Sequence, residues 1–431
     1  MDEVDDMPFS ALAERVAATR ALTLALAAPL SDADSTVQPM PDASPAKWHL
    51  AHTSWFFETF ILRDHLPGYQ PFDERWPFLF NSYYEGEGAR LARDRRGMLS
   101  RPSLDEARAY RVHVDEALDR VLPHLDKEAL ALIEIGIAHE QQHQELFLTD
   151  ILATFAANPL EPAYAPAQPV IPGLTRDPPA FGASREEGRQ TPDQVRGDGA
   201  WLPGRSGIVE IGAGPEGFAF DCERPRHQAL LHPHAIAAHQ TSNADWQAFI
   251  ADGGYRTPSL WLSEGWAWVQ RESIAAPLYW GNDGTAFTLA GRLPLDPAAP
   301  VAHVSFYEAD AFARWASARL PTEAEWEDMA SAADPCGGHQ LDHSGAVMPK
   351  PNGDWFGDVW CWTASAFLPH PGFRQPEGTL GEYNGKFMSG QMVLKGASCA
   401  TPRGSSRAST RSFFPPDARW QFTGVRIARD R

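Results

Sequence analysis

The sequence predicts an α+β protein of more than one domain, and three observations support this fold class. Residues 8–157 repeat apolar positions with a helical period, residues 158–207 are rich in Pro, Gly, Arg and Asp, and from Ile208 short strand-like runs alternate with turns. The chain has 431 residues, of which 43% are hydrophobic and 22% charged. This length and composition are typical of a globular protein with two or three domains and an ample core.

The N-terminal region predicts four long helices. Apolar periodicity runs through residues 9–30, 48–62, 103–125 and 127–155. Long helices of this kind favour an up-down four-helix bundle. Ser103 is a good N-cap for the third helix, and Asp42 or Ser44 would cap the second, with Pro45 in its first turn. Residues 78–88 break the helical pattern and predict a loop.

The composition changes after the helical region. Residues 158–207 predict a linker, and its central part, 170–199, predicts a disordered insertion. Residues 208–431 predict a mixed α+β domain of irregular β structure. Two stretches of that domain, 242–252 and 305–319, have the pattern of helices.

The net charge and the cysteine content limit the possible binding partners and the cellular compartment of the protein. The formal net charge of −19 disfavours binding to nucleic acid or to an anionic membrane surface. The apolar run 21–30 is too short to span a bilayer. The four cysteines are scattered without a C-x-x-C pair, and the acidic N-terminus lacks the pattern of a signal peptide. We therefore expect a cytoplasmic protein without disulfides.

The most informative motif is the string H-E-Q-Q-H at 139–143, in a predicted helix. Its two histidines, His139 and His143, are four residues apart and share one helix face, so both can bind one metal ion. The predicted helix at 48–62 adds His49 and His52, three residues apart. One histidine from this helix would complete a three-histidine site in a bundle core. Iron, zinc and copper all accept imidazole, so the ligands alone leave the metal open.

Further strings carry a resemblance to known families. R-L-P-T-E-A-E-W-E (319–327) and G-D-V-W-C-W-T (357–363) resemble the formylglycine-generating-enzyme (sulfatase-modifying factor) fold, a C-type-lectin-like variant. The N-terminal half resembles a DinB-like four-helix bundle. Together the two halves resemble the ergothioneine-biosynthesis sulfoxide synthase family. The motifs that anchor this resemblance are K-W-H-L-A-H (47–52), N-S-Y-Y-E (81–85), H-E-Q-Q-H-Q-E (139–145) and F-F-P-P-D-A-R-W-Q-F (413–422).

This resemblance implies an activity and a cofactor. The family uses non-haem Fe(II) and O2 to join the sulfur of cysteine or γ-glutamylcysteine to the imidazole C2 of hercynine (trimethylhistidine), giving a sulfoxide. The iron ligands implied for this chain are His52, His139 and His143. His49 does not match a ligand position, and we expect it to support a ligand or to pack beside it.

Substrate-binding residues also follow from the resemblance. Gln142 matches a position that touches the hercynine imidazole, and Tyr83 with Tyr84 matches a tyrosine pair that can donate a proton or an electron near the metal. Arg93, with Arg90 beside it, matches the site of the thiol substrate's carboxylate, for which a guanidinium is a suitable bidentate partner.

The C-terminal domain is expected to contribute to the hercynine pocket. Phe413 and Phe414 match aromatic residues that can hold a quaternary ammonium group by cation–π attraction, and Tyr383 is a further pocket residue. Ser412 stands where relatives often have an Asn that contacts the hercynine ring. The tyrosine of the γ-glutamylcysteine-using branch has no counterpart, because the matching stretch, 379–381, reads T-L-G. This difference favours free cysteine as the thiol.

Other functions remain open from the sequence. A related synthase could use a selenosugar in place of the thiol, as in selenoneine synthesis. The lectin-like domain could instead be a binding module beside an inert bundle. A zinc hydrolase with Glu140 as base is a further alternative, because H-E-x-x-H is also the spacing of zinc proteases.

Overall fold

The computed structural model describes residues 9–165, 200–351, 353–378, 381 and 384–431. The predicted insertion at 170–199 and the predicted pocket residue Tyr383 therefore lie outside the described residues. Within them the fold is α+β, with a helical N-terminal half and a C-terminal half of short strands and helices, as the sequence predicted.

The four predicted long helices are present in the N-terminal half, together with one short helix. They are α1 (Phe9–Ala27), α2 (Ala46–Phe57), the short α3 (Trp76–Phe80), α4 (Leu104–Val121) and α5 (Lys127–Ala157). The helix of α2 continues through a π-helical turn, Glu58–Leu62, and a final turn, Arg63–His65. Ser103 caps α4 as predicted, in a capping box with Glu106.

Two predictions for this half were wrong in detail. Pro45 is the N-cap residue of α2, without a side-chain cap, because Ser44 serves elsewhere: its N–H donates to Asp150 and its hydroxyl accepts from Arg96. The predicted loop at 78–88 begins inside α3 and includes a 3₁₀ turn, Glu85–Glu87. Trp76 and Phe80 of α3 pack in the apolar core of the bundle. This packing stabilises a short helix although the local sequence lacks helical periodicity.

The C-terminal half contains four helices among its described residues. They are α6 (Asn243–Ala251), α7 (Ser263–Glu272), α8 (Phe306–Trp315) and α9 (Glu323–Ala330). The two predicted helices correspond to α6 and α8, whereas α7 and α9 were not predicted. For α9 a signal existed, because Thr322 and Glu325 have the spacing of a capping box and form one.

The strands of this half form small sheets. They are β1 (Trp201–Pro203), β2 (Gly207–Ile211), β3 (His227–Leu231), β4 (His234–Ala237), β5 (Thr285–Thr288), β6 (Gly291–Pro294), β7 (Trp360–Ala366), β8 (Met392–Lys395), β9 (Ser412–Phe414), β10 (Thr423–Gly424) and β11 (Ala428–Asp430). The sheet orders are β1-β4-β11, β10-β7-β8-β9, β2-β3 and β5-β6. All these pairs are antiparallel except β10–β7. Strand β1 lies within the stretch predicted as a linker.

An apolar cluster joins the two halves. Phe147 and Ile151 of α5 belong to the same buried cluster as Phe287, Leu341 and Phe422 of the C-terminal half. Burial of apolar surface of this kind is the main force that holds packed units together. The C-terminal end of α5 is therefore fixed against the second half of the chain, and with it the histidine motif one to three turns earlier on the helix. Among the described residues, no helix combines the length and apolarity that a membrane span requires.

Candidate metal centre

Three histidines from two helices converge in the bundle. His52 projects from α2, and His139 and His143 project from α5, with one ring nitrogen of each within 4.8 Å of the others. The Nε2 atoms of His52 and His139 are 3.1 Å apart. The four-residue spacing on α5 places its two imidazoles on one face, as predicted. This grouping is the one that the sequence analysis proposed for the metal.

The orientation of His52 is fixed on three sides. Its Nδ1 lies 2.6 Å from the carbonyl oxygen of Phe80, so Nδ1 carries the proton and donates a hydrogen bond to that oxygen. Its ring is stacked between Trp48, at 4.5 Å between centroids, and Trp55, at 5.5 Å. The Nε2 lone pair is thus left to face His139. A hydrogen bond that fixes the distal nitrogen in this way is typical of metal-ligating histidine.

His143 is oriented by a relay that begins at a carboxylate. His49 Nε2 lies 3.1 Å from Asp150 Oδ2, and His49 Nδ1 lies 2.8 Å from His143 Nδ1. If His49 donates to the carboxylate, its Nδ1 is an acceptor and His143 Nδ1 must donate to it. The Nε2 lone pair of His143 is then available to a metal. His49 therefore orients His143, one of the three converging histidines.

Burial keeps the three imidazoles neutral. It is the largest cause of the lowered pKa of all three histidines, and it brings the pKa of His139 to about 3 although the neighbouring carboxylate of Glu140 acts in the opposite direction. Metal ions bind the neutral ring. Three neutral, converging imidazoles, of which His52 and His143 are oriented by hydrogen bonds, fit a divalent transition-metal ion.

Glu140, the alternative catalytic base, is held in a different network. Its carboxylate accepts hydrogen bonds from Arg111, Arg20 and Thr23. Burial alone would raise the pKa of Glu140, but Arg111 and Arg20 outweigh it and lower the pKa to about 2. A carboxylate that is bound by two arginines and has so low a pKa is a poor general base near pH 7. This arrangement argues against the zinc hydrolase alternative.

The predicted tyrosine pair is separated from the histidines by the ring of Trp55. The rings of Tyr83 and Tyr84 are 4.7 Å apart and stacked. Tyr84 is fully buried and packs on Trp55, at 5.6 Å between centroids, which in turn stacks on His52. Tyr83 is partly exposed and meets Phe387 of the C-terminal half at 5.2 Å. The pair therefore stands between the metal centre and the second half of the chain.

Three of the four arginines in residues 90–96 have different environments. Arg93 is exposed, and Arg90 is paired with Glu85 at 2.6 Å. Arg96 is buried, and its guanidinium lies 3.4 Å from the ring centroid of Trp48, which stacks on His52. Burial and the nearby Arg93 lower the pKa of Arg96 well below its usual value. The sequence analysis did not place Arg96 in the site, because spacing alone does not show which arginine of a run is buried.

The aromatic residues predicted for hercynine lie on strand β9. Phe413 stacks on Phe367 at 3.9 Å between centroids, and Phe414 meets Trp420 at 5.8 Å. Trp420 Nε1 donates to Asp150 at 3.2 Å, so β9 is connected through Trp420 to the carboxylate that orients His49. Ser412 begins β9 and is partly buried. Gln142 is exposed on α5, one residue before His143.

One interdomain contact was missed by the sequence analysis. Glu145, two residues after His143, accepts hydrogen bonds from Trp360 Nε1 (2.8 Å), Ser398 Oγ (2.6 Å) and Thr401 Oγ1 (2.8 Å). All three donors belong to the C-terminal half. The last Glu of the H-E-Q-Q-H-Q-E string was a signal, but its partners lie more than 200 residues away in sequence and cannot be deduced from local pattern.

Two parts of the chain match known domain families. Residues 15–147 match the DinB superfamily, and residues 192–350 and 352–431 match the sulfatase-modifying factor enzyme 1-like domain. The protein thus combines a DinB-type helical bundle with a formylglycine-generating-enzyme-like domain, as predicted from its motifs.

The chain is also similar along nearly its whole length to three proteins named hercynine oxygenase. It is 34% identical to that of Mycolicibacterium smegmatis, over 97% of this chain and 98% of the relative. The corresponding values are 32%, 97% and 98% for Mycobacterium tuberculosis, and 31%, 93% and 90% for Mycolicibacterium thermoresistibile. The chain belongs to the hercynine oxygenase family, the ergothioneine-biosynthesis sulfoxide synthases of the predicted resemblance. It is an enzyme, an oxidoreductase of the sulfoxide synthase type.

Proposed function

We propose that this enzyme uses Fe(II) and O2 to join the sulfur of cysteine to the imidazole C2 of hercynine, giving a hercynyl-cysteine sulfoxide for ergothioneine biosynthesis. The observation that carries the proposal is the convergence of His52, His139 and His143 as neutral imidazoles. The relatives named hercynine oxygenase support the choice of reaction.

Iron is proposed as the metal because of the chemistry required. Oxidative bond formation with O2 needs a metal that changes oxidation state, and zinc does not. Iron, when bound by the three histidines, would supply this redox chemistry. The chain's own residues hold the imidazoles in place, through Phe80 for His52 and through His49 for His143.

The neighbouring residues are proposed to bind and orient the substrates. Phe413 and Phe414 would face the trimethylammonium group of hercynine, Tyr383 and Ser412 would also bind hercynine, and Gln142 would contact its imidazole. Holding the two reactants together converts a bimolecular step into an effectively unimolecular one.

The groups proposed to act on the thiol substrate are arginine side chains and a tyrosine phenol. Arg93, with Arg90, would bind the carboxylate of cysteine, for which a guanidinium is a bidentate partner. Tyr83 or Tyr84 would deliver a proton or an electron during C–S bond formation. The rings of Trp48 and Trp55 on either side of His52 exclude water from that flank of the centre.

Product analysis tests the proposal. The full-length protein, loaded with Fe(II) without air and then mixed with O2 and hercynine, is supplied with cysteine, γ-glutamylcysteine or a selenosugar in separate reactions. Mass spectrometry should find the sulfoxide with cysteine, and in smaller amount with γ-glutamylcysteine. Turnover with the selenosugar alone would favour the selenoneine-type alternative. Binding of hercynine without turnover of any donor would favour an inert bundle beside a binding module.

A further inference from the structure

A carboxylate on α5 receives hydrogen bonds from three separate segments of the chain. Asp150 lies seven residues after His143, which places it two turns further along the same face of the helix. Its Oδ2 lies 2.8 Å from the backbone nitrogen of Ser44 and 3.1 Å from His49 Nε2, and its Oδ1 lies 3.2 Å from Trp420 Nε1. Asp150 and His49 are buried, with 4% and 2% of their surfaces exposed. The indole of the C-terminal half therefore completes a buried cluster that begins in the bundle.

The donors at Asp150 fix the direction of the hydrogen bonds. A backbone N–H and an indole N–H can only donate, so Ser44 and Trp420 each require an acceptor. An ionised carboxylate accepts at both oxygens, and His49 Nε2 must then carry a proton to bond to it. In a neutral His49, Nδ1 is left without a proton and accepts the hydrogen bond of His143 Nδ1–H at 2.8 Å. The chemistry of the partners thus leaves the lone pair of His143 on its Nε2 atom.

Trp420 helps to fix the plane of the Asp150 carboxylate. The terminal torsion of an Asp side chain is soft, so the carboxylate turns easily unless its two oxygens are held. Ser44 donates to one oxygen and Trp420 to the other. These two donors on opposite oxygens hold the carboxylate plane, and with it the position of the oxygen that accepts from His49. Loss of the indole N–H would therefore loosen His49 although the bond between His49 and Asp150 is itself unchanged.

The position of the Trp420 indole is set by the C-terminal half. Trp420 lies between β9 and β10, and its ring meets the ring of Phe414 on β9 at 5.8 Å between centroids and 74° between planes. On one side of it, Arg419 donates to the Ala276 carbonyl at 2.6 Å. On the other side, the Phe422 carbonyl accepts from the backbone N–H of Trp360 at 2.9 Å. The indole therefore reaches Asp150 only when the C-terminal half is docked on α5.

We propose that Asp150 and Trp420 are positioning residues of the candidate metal centre, and that Trp420 makes the orientation of His143 depend on the C-terminal half. Trp420 acts on His49 by fixing the carboxylate of Asp150. His49 in turn holds the imidazole of His143. Outer partners of this kind orient metal ligands and raise metal affinity. This role rests on the proposed function only to the extent that the three histidines bind a metal, and it is independent of the reaction that follows.

Titration of the full chain with Co(II), without O2 or substrates, tests the proposal. The visible absorption of bound Co(II) depends on its ligands and their geometry, so one titration gives both the affinity and a spectroscopic signature of the centre. Trp420→Phe keeps a ring and removes the N–H, so Co(II) affinity should fall roughly 2- to 10-fold, the range for one hydrogen bond, and the spectrum should change. Asp150→Asn should weaken Co(II) binding about 10- to 100-fold, because an amide has one acceptor atom and cannot accept at both positions.

Trp360→Phe is the matched control. The Trp360 indole also donates from the C-terminal half to a carboxylate of α5, that of Glu145, at 2.8 Å. Among the described residues, no hydrogen bond joins Glu145 to His49. Trp360→Phe therefore weakens the contact between the two halves without altering the bonds of Asp150, and its Co(II) affinity and spectrum should match those of the wild type. Equal effects of Trp360→Phe and Trp420→Phe would overturn the proposal, because docking in general would then be responsible.

A double variant shows whether Trp420 acts through His49. With His49→Ala present, Trp420→Phe should cause no further loss of Co(II) affinity, and an additive loss would overturn the proposal. A wild-type affinity and spectrum in Trp420→Phe would also overturn it, while leaving the three-histidine centre intact. Failure of the wild type to bind Co(II), or unchanged binding in His143→Ala, would overturn the metal centre together with this role. If Asp150→Asn fails to fold, Trp420→Phe and the double variant still decide.

Discussion

At the scale of single residues, the neighbours of His52 and His143 determine which nitrogen of each ring faces the candidate metal centre. The Phe80 carbonyl accepts a hydrogen bond from His52 Nδ1–H, and His49 Nδ1 accepts one from His143 Nδ1–H. The convergence of the three histidines could be predicted from spacing and family resemblance. The relay through Asp150 could not, because nothing in the sequence pairs residue 49 with residue 150.

Removal of His49 should weaken the metal centre without destroying it. His49→Ala leaves all three ligands but releases His143 from its fixed orientation. Loss of such a supporting residue typically lowers metal affinity about 10- to 100-fold. A competition titration of Fe(II) against a chelator measures this affinity. His113→Ala is the matched control, since His113 is partly exposed and its only hydrogen bond among the described residues is to the Gln70 carbonyl. Equal Fe(II) affinities in both variants would show that His49 does not support metal binding.

The tyrosine pair should control the product rather than the fold. Tyr83→Phe and Tyr84→Phe keep the rings and their stacking, so folding and iron loading should not change. If one phenol delivers a proton or an electron, C–S bond formation should slow while oxidation of cysteine to a sulfinic acid persists or rises. The ratio of sulfoxide to sulfinate is measured for both variants and the double variant. A wild-type rate and ratio in the double variant would make the pair structural.

Arg93 should act mainly on the binding of the thiol substrate. A charged hydrogen-bonded contact contributes about 1.5–3 kcal/mol, so Arg93→Ala should raise the KM for cysteine roughly 10- to 150-fold, with a smaller effect on hercynine. Arg95→Ala, an exposed neighbour in the same turn, is the control. An unchanged KM for cysteine in Arg93→Ala would exclude the role and turn attention to Arg96, which is buried beside Trp48.

At the scale of secondary-structure elements, α5 connects the metal centre to both halves of the chain. Its face toward α2 carries His139, and at Gly136 the two helices come so close that a Cβ atom would lie 2.5 Å from the Phe57 ring. Periodicity predicted this helix and its histidines well, because a long apolar pattern is a strong local signal. The cap of α2 was predicted wrongly, because Ser44 bonds to Asp150 on a distant helix.

The contact of Glu145 should be important for the stability of the interdomain interface. Glu145→Ala leaves Trp360 Nε1 and the hydroxyls of Ser398 and Thr401 without their acceptor. Leaving a buried polar group unsatisfied costs about 1–3 kcal/mol, and urea denaturation should show a loss of at least this size. The control is Glu134→Ala on the same helix, which breaks a partly exposed pair with Arg15 worth about 0–1 kcal/mol. Equal losses would contradict the role of Glu145.

At the scale of the whole molecule, the candidate site lies where the two halves meet. The bundle supplies the histidines and the tyrosines, and the C-terminal half supplies Phe387 against Tyr83 and Trp420 against Asp150. The order of the two domains could be predicted from motifs. Their contacts could not, because Asp150 and Trp420 are separated by 270 residues and meet only in the folded chain.

Metal analysis after anaerobic purification and Fe(II) loading measures directly whether the three converging histidines bind iron. We expect one iron per wild-type chain, and loss of that iron in His52→Ala, His139→Ala and His143→Ala, because each variant lacks one of the three converging imidazoles. Circular dichroism of each variant confirms that the fold is intact. Full retention of iron in folded His139→Ala or His143→Ala would contradict the account, since the metal would then be bound elsewhere.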